Sequence, residues 1–395
     1  MRYALLSVAF LAIAVTIALI LTRAGSRMRV KVNMPAVLVA GTALMVLTAV
    51  FDTLMIGLNL FTYSDALISG IRVGLAPVED FAYPLATVVL LPALWQFMTH
   101  HPHLKMSALL KHALIVSRPV SWINTAFPFG AAYFLATRDI DWLLVVGAIY
   151  YLIPYNLAMY GINDVFDYAS DINNPRKGGM EGALLPPAYH RPMLWLCLVT
   201  NVPFLAVLFA AGSPESAIAL AVSTFAVIAY SAAGLRFKER PFVDSLTSST
   251  HFVSPAVVGL TLAGASIDSA LLLILGAFFC WGIAAHAFGA VQDIQPDREA
   301  GIGSIATVIG ARSTVIFTVA MWGTAGILML MTSWPGPLVA IVAVPYIVNA
   351  VPYLHVTDQD AGTTNKAWRR FIWLNYFSGF LVTLTMILWW MTVRG

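Results

Sequence analysis

The sequence predicts an all-α polytopic membrane protein of about twelve transmembrane helices. Of its 395 residues, 59% are hydrophobic and 10% charged, against about 25% charged in soluble domains. Mean hydropathy is +0.81. Apolar runs of about 20 residues, the length that spans a bilayer core, recur along the chain, and the basic residues gather between them. The formal net charge of +3 is too small to suggest nucleic acid as a partner. Cys197 and Cys280 both lie inside apolar runs and give neither a disulfide framework nor metal-ligand spacing.

Three spans are expected before residue 100, near 3–22, 34–56 and 78–98. The first is longer than the about 7–15 apolar residues of a signal-peptide core and lacks a small-x-small cleavage site, so it reads as a retained helix. Arg23, Arg27, Arg29 and Lys31 follow it and mark a cytoplasmic loop by the positive-inside rule, which puts the N-terminus outside. His100, His101, His103, Lys105, Lys111 and Arg118 form a second basic connector. With no acidic partner nearby, its histidines read as solvated.

Nine further spans are expected near 119–137, 142–160, 192–212, 216–234, 249–265, 270–290, 313–332, 338–355 and 370–392. Alternating sides then place the loops 161–191, 235–248, 291–312 and 356–369 in the cytoplasm, and these hold most of the remaining charge. The natural division is a three-helix domain, 1–105, and a nine-helix domain, 106–395.

Chemistry concentrates in Gly161-Ile-Asn163-Asp164-Val-Phe-Asp167-Tyr-Ala-Ser-Asp171, where an apolar run ends in four polar positions. On a helix, Asp164, Asp167 and Asp171 fall within about 60° of one another. Stacked like charges repel unless cations sit among them, and hard oxygen ligands suit magnesium bridged to a substrate's phosphates. A second acidic pair, Asp293 and Asp297, follows another long apolar run. Two acidic clusters at two helix ends make a two-sided cradle for a metal-bound diphosphate. Basic residues stand close by: Arg176 and Lys177 after Asp171, and Arg236, Lys238 and Arg240 in Tyr230-Ser-Ala-Ala-Gly-Leu-Arg236-Phe-Lys238-Glu-Arg240. Arg298 is a weaker candidate. His286 and Asn124 read better as satisfied core polar groups than as tunnel residues.

Asn163-Asp-Val-Phe-Asp167-Tyr-Ala-Ser-Asp171 resembles the NDxxDxxxD motif of the UbiA superfamily of membrane prenyltransferases, and Asp293-Ile-Gln-Pro-Asp297 its second, DxxxD motif. The resemblance covers about residues 106–395. It implies a helical bundle of two pseudo-repeated halves, magnesium held by Asp164, Asp167, Asp171, Asp293 and Asp297, and a diphosphate met by Asn163, Arg176, Lys177, Arg236 and Lys238.

Phe51-Asp52, Gly57-Leu-Asn-Leu-Phe61-Thr-Tyr63 and Gly74-Leu-Ala-Pro77-Val-Glu79-Asp80-Phe-Ala-Tyr83 resemble the small lycopene cyclase domain, with Phe61 at its usual aromatic position and Asp80 in place of a second Glu. Closing a polyene end needs a proton delivered to a terminal double bond and another removed, with no redox change. A carboxylic acid kept neutral by apolar surroundings can deliver the first. The resemblance implies Glu79 as that acid, with Asp80 and Asp52 as partners. Pro77 followed by Glu79 and Asp80 is equally a good helix start. Three helices are half of such a cyclase, so a second small cyclase subunit is implied.

Together the two resemblances imply a lycopene elongase that uses dimethylallyl diphosphate, fused to one subunit of a fifty-carbon carotenoid cyclase in the lipid of the cell membrane, its diphosphate site facing the cytoplasm. A prenyltransferase acting on a quinone, aromatic or chlorophyll-like acceptor is the first alternative. An ion-coupled transporter is the second, though it predicts charges at the bilayer midplane near broken helices, and here they lie at span ends. A third makes residues 1–105 an assembly module only.

Overall fold

The computed structural model describes residues 2–24, 33–58, 61–100, 105–168, 172 and 184–394. The chain forms two compact units, Met1–Ala108 and Leu109–Gly395. Both are helical, as an apolar backbone in lipid requires, since a helix satisfies its own hydrogen bonds.

In the first unit α1 (Arg2–Ala24), α2 (Met34–Gly57) and α3 (Ala82–His100) are the three expected helices. Between α2 and α3 lies a feature that hydropathy does not announce. Strands β1 (Arg72–Val73) and β2 (Ala76–Pro77) pair antiparallel around Gly74, whose φ of 65° suits a residue without Cβ. Thr53 of α2 holds this turn, donating to the Val73 carbonyl at 3.3 Å and accepting from the Leu75 amide at 3.1 Å.

The second unit opens with the end of α4 (Lys105–Val116), then α5 (Ile123–Thr137), α6 (Trp142–Leu152) and α7 (Pro154–Phe166). It continues through α8 (His190–Ala211), α9 (Pro214–Ser231), α10 (Val243–Leu262), α11 (Ser269–Val291) and the short α12 (Ile294–Glu299). Helices α13 (Ile305–Leu330), α14 (Ala343–Ala350) and α15 (Asn365–Arg394) complete it. One core gathers Phe129, Tyr150, Tyr151, Tyr155, Met193 and Leu208. Another gathers Phe288, Trp322, Tyr346 and Phe371 from the later helices.

Among the described residues, ten segments are long and apolar enough to cross a membrane, two fewer than the sequence suggests. Both missing spans exist as helices. The one expected at 119–137 is α5, with 15 residues and Pro128 inside. The one expected at 249–265 is α10, which begins earlier and carries Asp244, Ser245, Thr247, Ser249, His251 and Ser254, all buried. A helix walled in by other helices can carry polar groups that lipid would exclude. α5 and α10 pack against each other so closely that a Cβ on Gly259 would lie 2.6 Å from the Phe129 carbonyl oxygen.

Candidate functional site

Helix α7 starts at Pro154, where the missing N–H costs nothing, and ends at Phe166. Asn163 and Asp164 occupy its last turn and Asp167 is its C-cap. The predicted carboxylate stripe thus runs off the helix end, and its continuation through Asp171, Arg176 and Lys177 lies outside the described residues. A helix C-terminus is the negative end of the macrodipole, so buried carboxylates there need cations. Asp164 is 1% exposed and Asp167 5%.

Arg118 supplies the first cation. Its guanidinium lies 3.0 Å from Asp164 and 4.1 Å from the centre of the Tyr160 ring. Lys238 supplies the second, ion-paired with Asp167, and Arg236 stands 3.7 Å from the same carboxylate. Asn163 joins them, its Nδ2 donating to Asp167 at 2.8 Å and to Ser231 Oγ at 3.0 Å. Three of the residues singled out in the sequence therefore meet Asp167. From the sequence alone Arg118 is only one charge of the basic connector. The signal that distinguishes it is its place directly before Pro119 at the mouth of α5, where it adopts a left-handed φ of 50°.

The loop bearing Lys238 is held in uncommon backbone conformations, with positive φ at Gly234, Arg236 and Phe242. Arg236 also pairs with Glu239, and that hydrogen bond, against the opposing pull of burial, holds the Glu239 carboxyl below its usual range. Arg240 turns instead over the Phe237 ring, 5.3 Å from its centre.

The second motif begins just past α11, with Asp293 as the N-cap of α12 and Asp297 inside it. The Ile302 amide donates to the Asp297 carbonyl at 2.8 Å, folding the following segment back. There a Cβ on Gly303 would lie 2.7 Å from the Glu239 carbonyl oxygen, so the chain behind the second acidic motif rests on the loop of Arg236 and Lys238. Asp244, fully buried, ties the same regions together by accepting from the Ser245 amide at 2.7 Å and the Ile305 amide at 2.8 Å. Arg298 is engaged elsewhere, 2.7 Å from Asp358 and donating to the Thr307 carbonyl at 2.8 Å. His286 bridges Tyr230 Oη at 3.0 Å and Ser245 Oγ at 3.1 Å, a satisfied core group as the sequence suggested. Asn124 is half-buried.

No three His, Cys, Asp or Glu side chains among the described residues converge closely enough to hold a metal unaided. The donors on hand are carboxylate oxygens beside cations, which suits magnesium, an ion that takes one or two carboxylates and completes its shell with waters and substrate phosphates.

The first unit holds a separate acidic cluster. Glu79 is 6% exposed; its Oε1 accepts from the Ser69 amide at 2.5 Å, and its Oε2 meets no hydrogen-bond partner among the described residues. It lies in a 3-10 turn, Val78–Phe81, whose N-cap Pro77 offers no side-chain cap. Tyr63 donates to Asp80 at 2.8 Å, and the Asp52 and Asp80 carboxyls lie within hydrogen-bond reach of each other. Burial, then Asp80, pushes the Tyr63 phenol upward, keeping it a donor.

Fold and site define a polytopic membrane protein with an acid-base charge cluster buried at the helix ends of one bundle. The chain belongs to the UbiA prenyltransferase family, whose model matches residues 125–375. It is 49% identical over 382 residues to the "C(50) beta-cyclic carotenoids biosynthesis protein LbtBC" of a Dietzia species, covering 88% of each chain. It is 51% identical over 274 residues to a "Lycopene elongase/hydratase" of Corynebacterium glutamicum, covering 69% of this chain and 96% of that one. A solved UbiA homolog from Archaeoglobus fulgidus, bound to GPP and Mg2+, shares the fold with a TM-score of 0.50 and 19% identity, over 67% of this chain and 98% of that chain.

Proposed function

We propose that the second unit is a magnesium-dependent lycopene elongase, transferring dimethylallyl groups from dimethylallyl diphosphate to the ends of lycopene, and that the first unit is one subunit of the cyclase that closes the elongated ends. The observation that carries the reading is the pair of buried carboxylates, Asp164 and Asp167, met by the partly buried Arg118, Arg236 and Lys238. Relatives of the prenyltransferase family named for lycopene elongation and for fifty-carbon carotenoids supply the acceptor. The match over 88% of the chain also reaches beyond the second unit into the first.

Breaking the allylic C–O bond sends negative charge onto the departing diphosphate, and fixed positive charge in a dry site lowers that barrier. Lys238, Arg236 and Arg118 are the donors that meet the diphosphate oxygens, with Arg176 and Lys177 assigned the same task. Asn163 orients Asp167. Asp164, Asp167, Asp171, Asp293 and Asp297 would hold magnesium, which supplies neutralising charge to the leaving group. In the first unit Glu79 delivers the cyclising proton, with Asp80 and Asp52 beside it, and a second cyclase subunit completes that site. The charged loops face the cytoplasm and the N-terminus lies outside the cell membrane.

Membranes carrying the chain, given lycopene and dimethylallyl diphosphate, should form forty-five- and fifty-carbon products. Chelation with EDTA should stop this and magnesium restore it. Prenylation of a quinone or aromatic acceptor with lycopene untouched would overturn the choice of acceptor.

A further inference from the structure

His251 lies in the interior of α10, two helical turns past Asp244, and is 3% exposed. Its imidazole is in hydrogen-bond contact with the Ala226 carbonyl of α9, while Nε2 has no hydrogen-bond partner among the described residues. The ring contact therefore runs through Nδ1, which must carry the proton to donate to a carbonyl, and Nε2 presents a bare lone pair. An unmet acceptor in the interior costs about 1–3 kcal/mol, so a use for it is worth seeking.

Its position suggests one. The edge of His251 packs against Tyr230, ring centroids 5.1 Å apart, and Tyr230 adjoins Ser231, which accepts from Asn163 of the first acidic motif. Seven residues of α10 separate Asp244 from His251, about 10 Å along the axis at 1.5 Å per residue. Val243 begins this helix directly beyond the Lys238 loop, so His251 lies about two helical turns further into the bundle than the end of α10 that adjoins that loop. The residue packs beside the Tyr230 ring, and the Tyr155 hydroxyl donates to its backbone carbonyl at 3.4 Å.

We propose that His251 is a catalytic residue of the prenyl transfer, its Nε2 accepting the proton that ends the reaction. This rests on the elongase reading and assigns the step that reading leaves open. The C–O bond of dimethylallyl diphosphate breaks and its electron pair leaves on diphosphate. The π electrons of the acceptor's terminal double bond form the new C–C bond to the allylic carbon, leaving a tertiary cation on the acceptor. Nε2 takes a proton from a carbon next to that cation, and the C–H electron pair becomes the new double bond. The imidazolium releases that proton to water as the product leaves, so each transfer sets free one diphosphate and one proton.

His251→Asn separates this role from a packing role, because the Asn amide reproduces the Nδ1 donor to Ala226 and lacks Nε2. Purified full-length H251N should bind the non-hydrolysable thiolodiphosphate analogue of dimethylallyl diphosphate within twofold of wild type. With lycopene and dimethylallyl diphosphate it should form elongated alkene at least tenfold more slowly, releasing more than one pyrophosphate per product or shifting product toward a hydroxylated end. Alkene made at the wild-type rate, one pyrophosphate each, overturns the proposal, as does loss of analogue binding in H251N, which would make His251 structural. A wild-type protein that elongates nothing overturns the elongase reading itself, a result distinct from an active H251N.

Discussion

Asp164 and Arg118 show how one residue decides the character of a site. A carboxylate 1% exposed at a helix C-terminus is sustained by the guanidinium 3.0 Å away, itself spread over Tyr160. Arg118→Ala removes the guanidinium from beside a buried carboxylate, and breaking a buried pair in this way typically costs about 3–5 kcal/mol. The expected result is a lowered melting temperature in detergent together with at least tenfold weaker use of the diphosphate substrate. Arg118→Lys keeps the charge but not the planar fork, so it should keep most of the stability and lose affinity. An R118A protein as stable and active as wild type would remove Arg118 from the site. In the sequence Arg118 looks like its neighbours in a basic connector, because hydropathy reports that a charge lies at a membrane edge and not whether it turns inward. The aspartates were legible because clustered like charges beside an apolar run demand an explanation. Asp244 and His251 were not, since single polar residues inside a helix look the same whether they are packing groups or tools.

At the scale of elements, the apolar runs of about 20 residues marked most helices correctly, since lipid imposes length and composition together. The rule placed α5 and α10 as well, though neither is long and apolar enough to cross a membrane, and it missed the β1–β2 ribbon, which depends on Gly74 and the Thr53 hydroxyl. It also passed over the break in α13 at Gly310, where φ is 79° and the helix restarts. There Asp358 takes the part of an N-cap, accepting from the Ala311 amide at 2.7 Å. That hydrogen bond, with Arg298, holds the Asp358 carboxyl below its usual range against the effect of burial. A depressed carboxylate stabilises the fold above its unfolded value, and this contribution disappears as pH falls through the lower, folded value. Asp358→Ala should cost about 1 kcal/mol, as lost caps do. The difference in melting temperature between the two proteins should shrink on acidification. A difference constant with pH would show that the carboxylate charge is not what holds the restart.

For the whole molecule, the two units carry their polar groups differently. The second holds two aromatic-rich cores, whereas the first holds Glu79 with one oxygen accepting from Ser69 and the other without a hydrogen-bond partner among the described residues. If Glu79 delivers the cyclising proton, Glu79→Gln co-expressed with the partner subunit should leave fifty-carbon product linear while elongation proceeds at the wild-type rate, as carotenoid chromatography of the host would show. Rings formed in normal yield would reduce the first unit to assembly. Along α2, Gly41 alone is buried; every other side chain in that helix keeps some of its surface open. Such a helix draws little cohesion from its own unit, so its order depends on the surroundings, whether acyl chains or another polypeptide. Harsh, short-chain surfactants that strip this coat are therefore a greater hazard to the first unit than to the second, and on the proposed reading ring closure would be lost during extraction before chain extension.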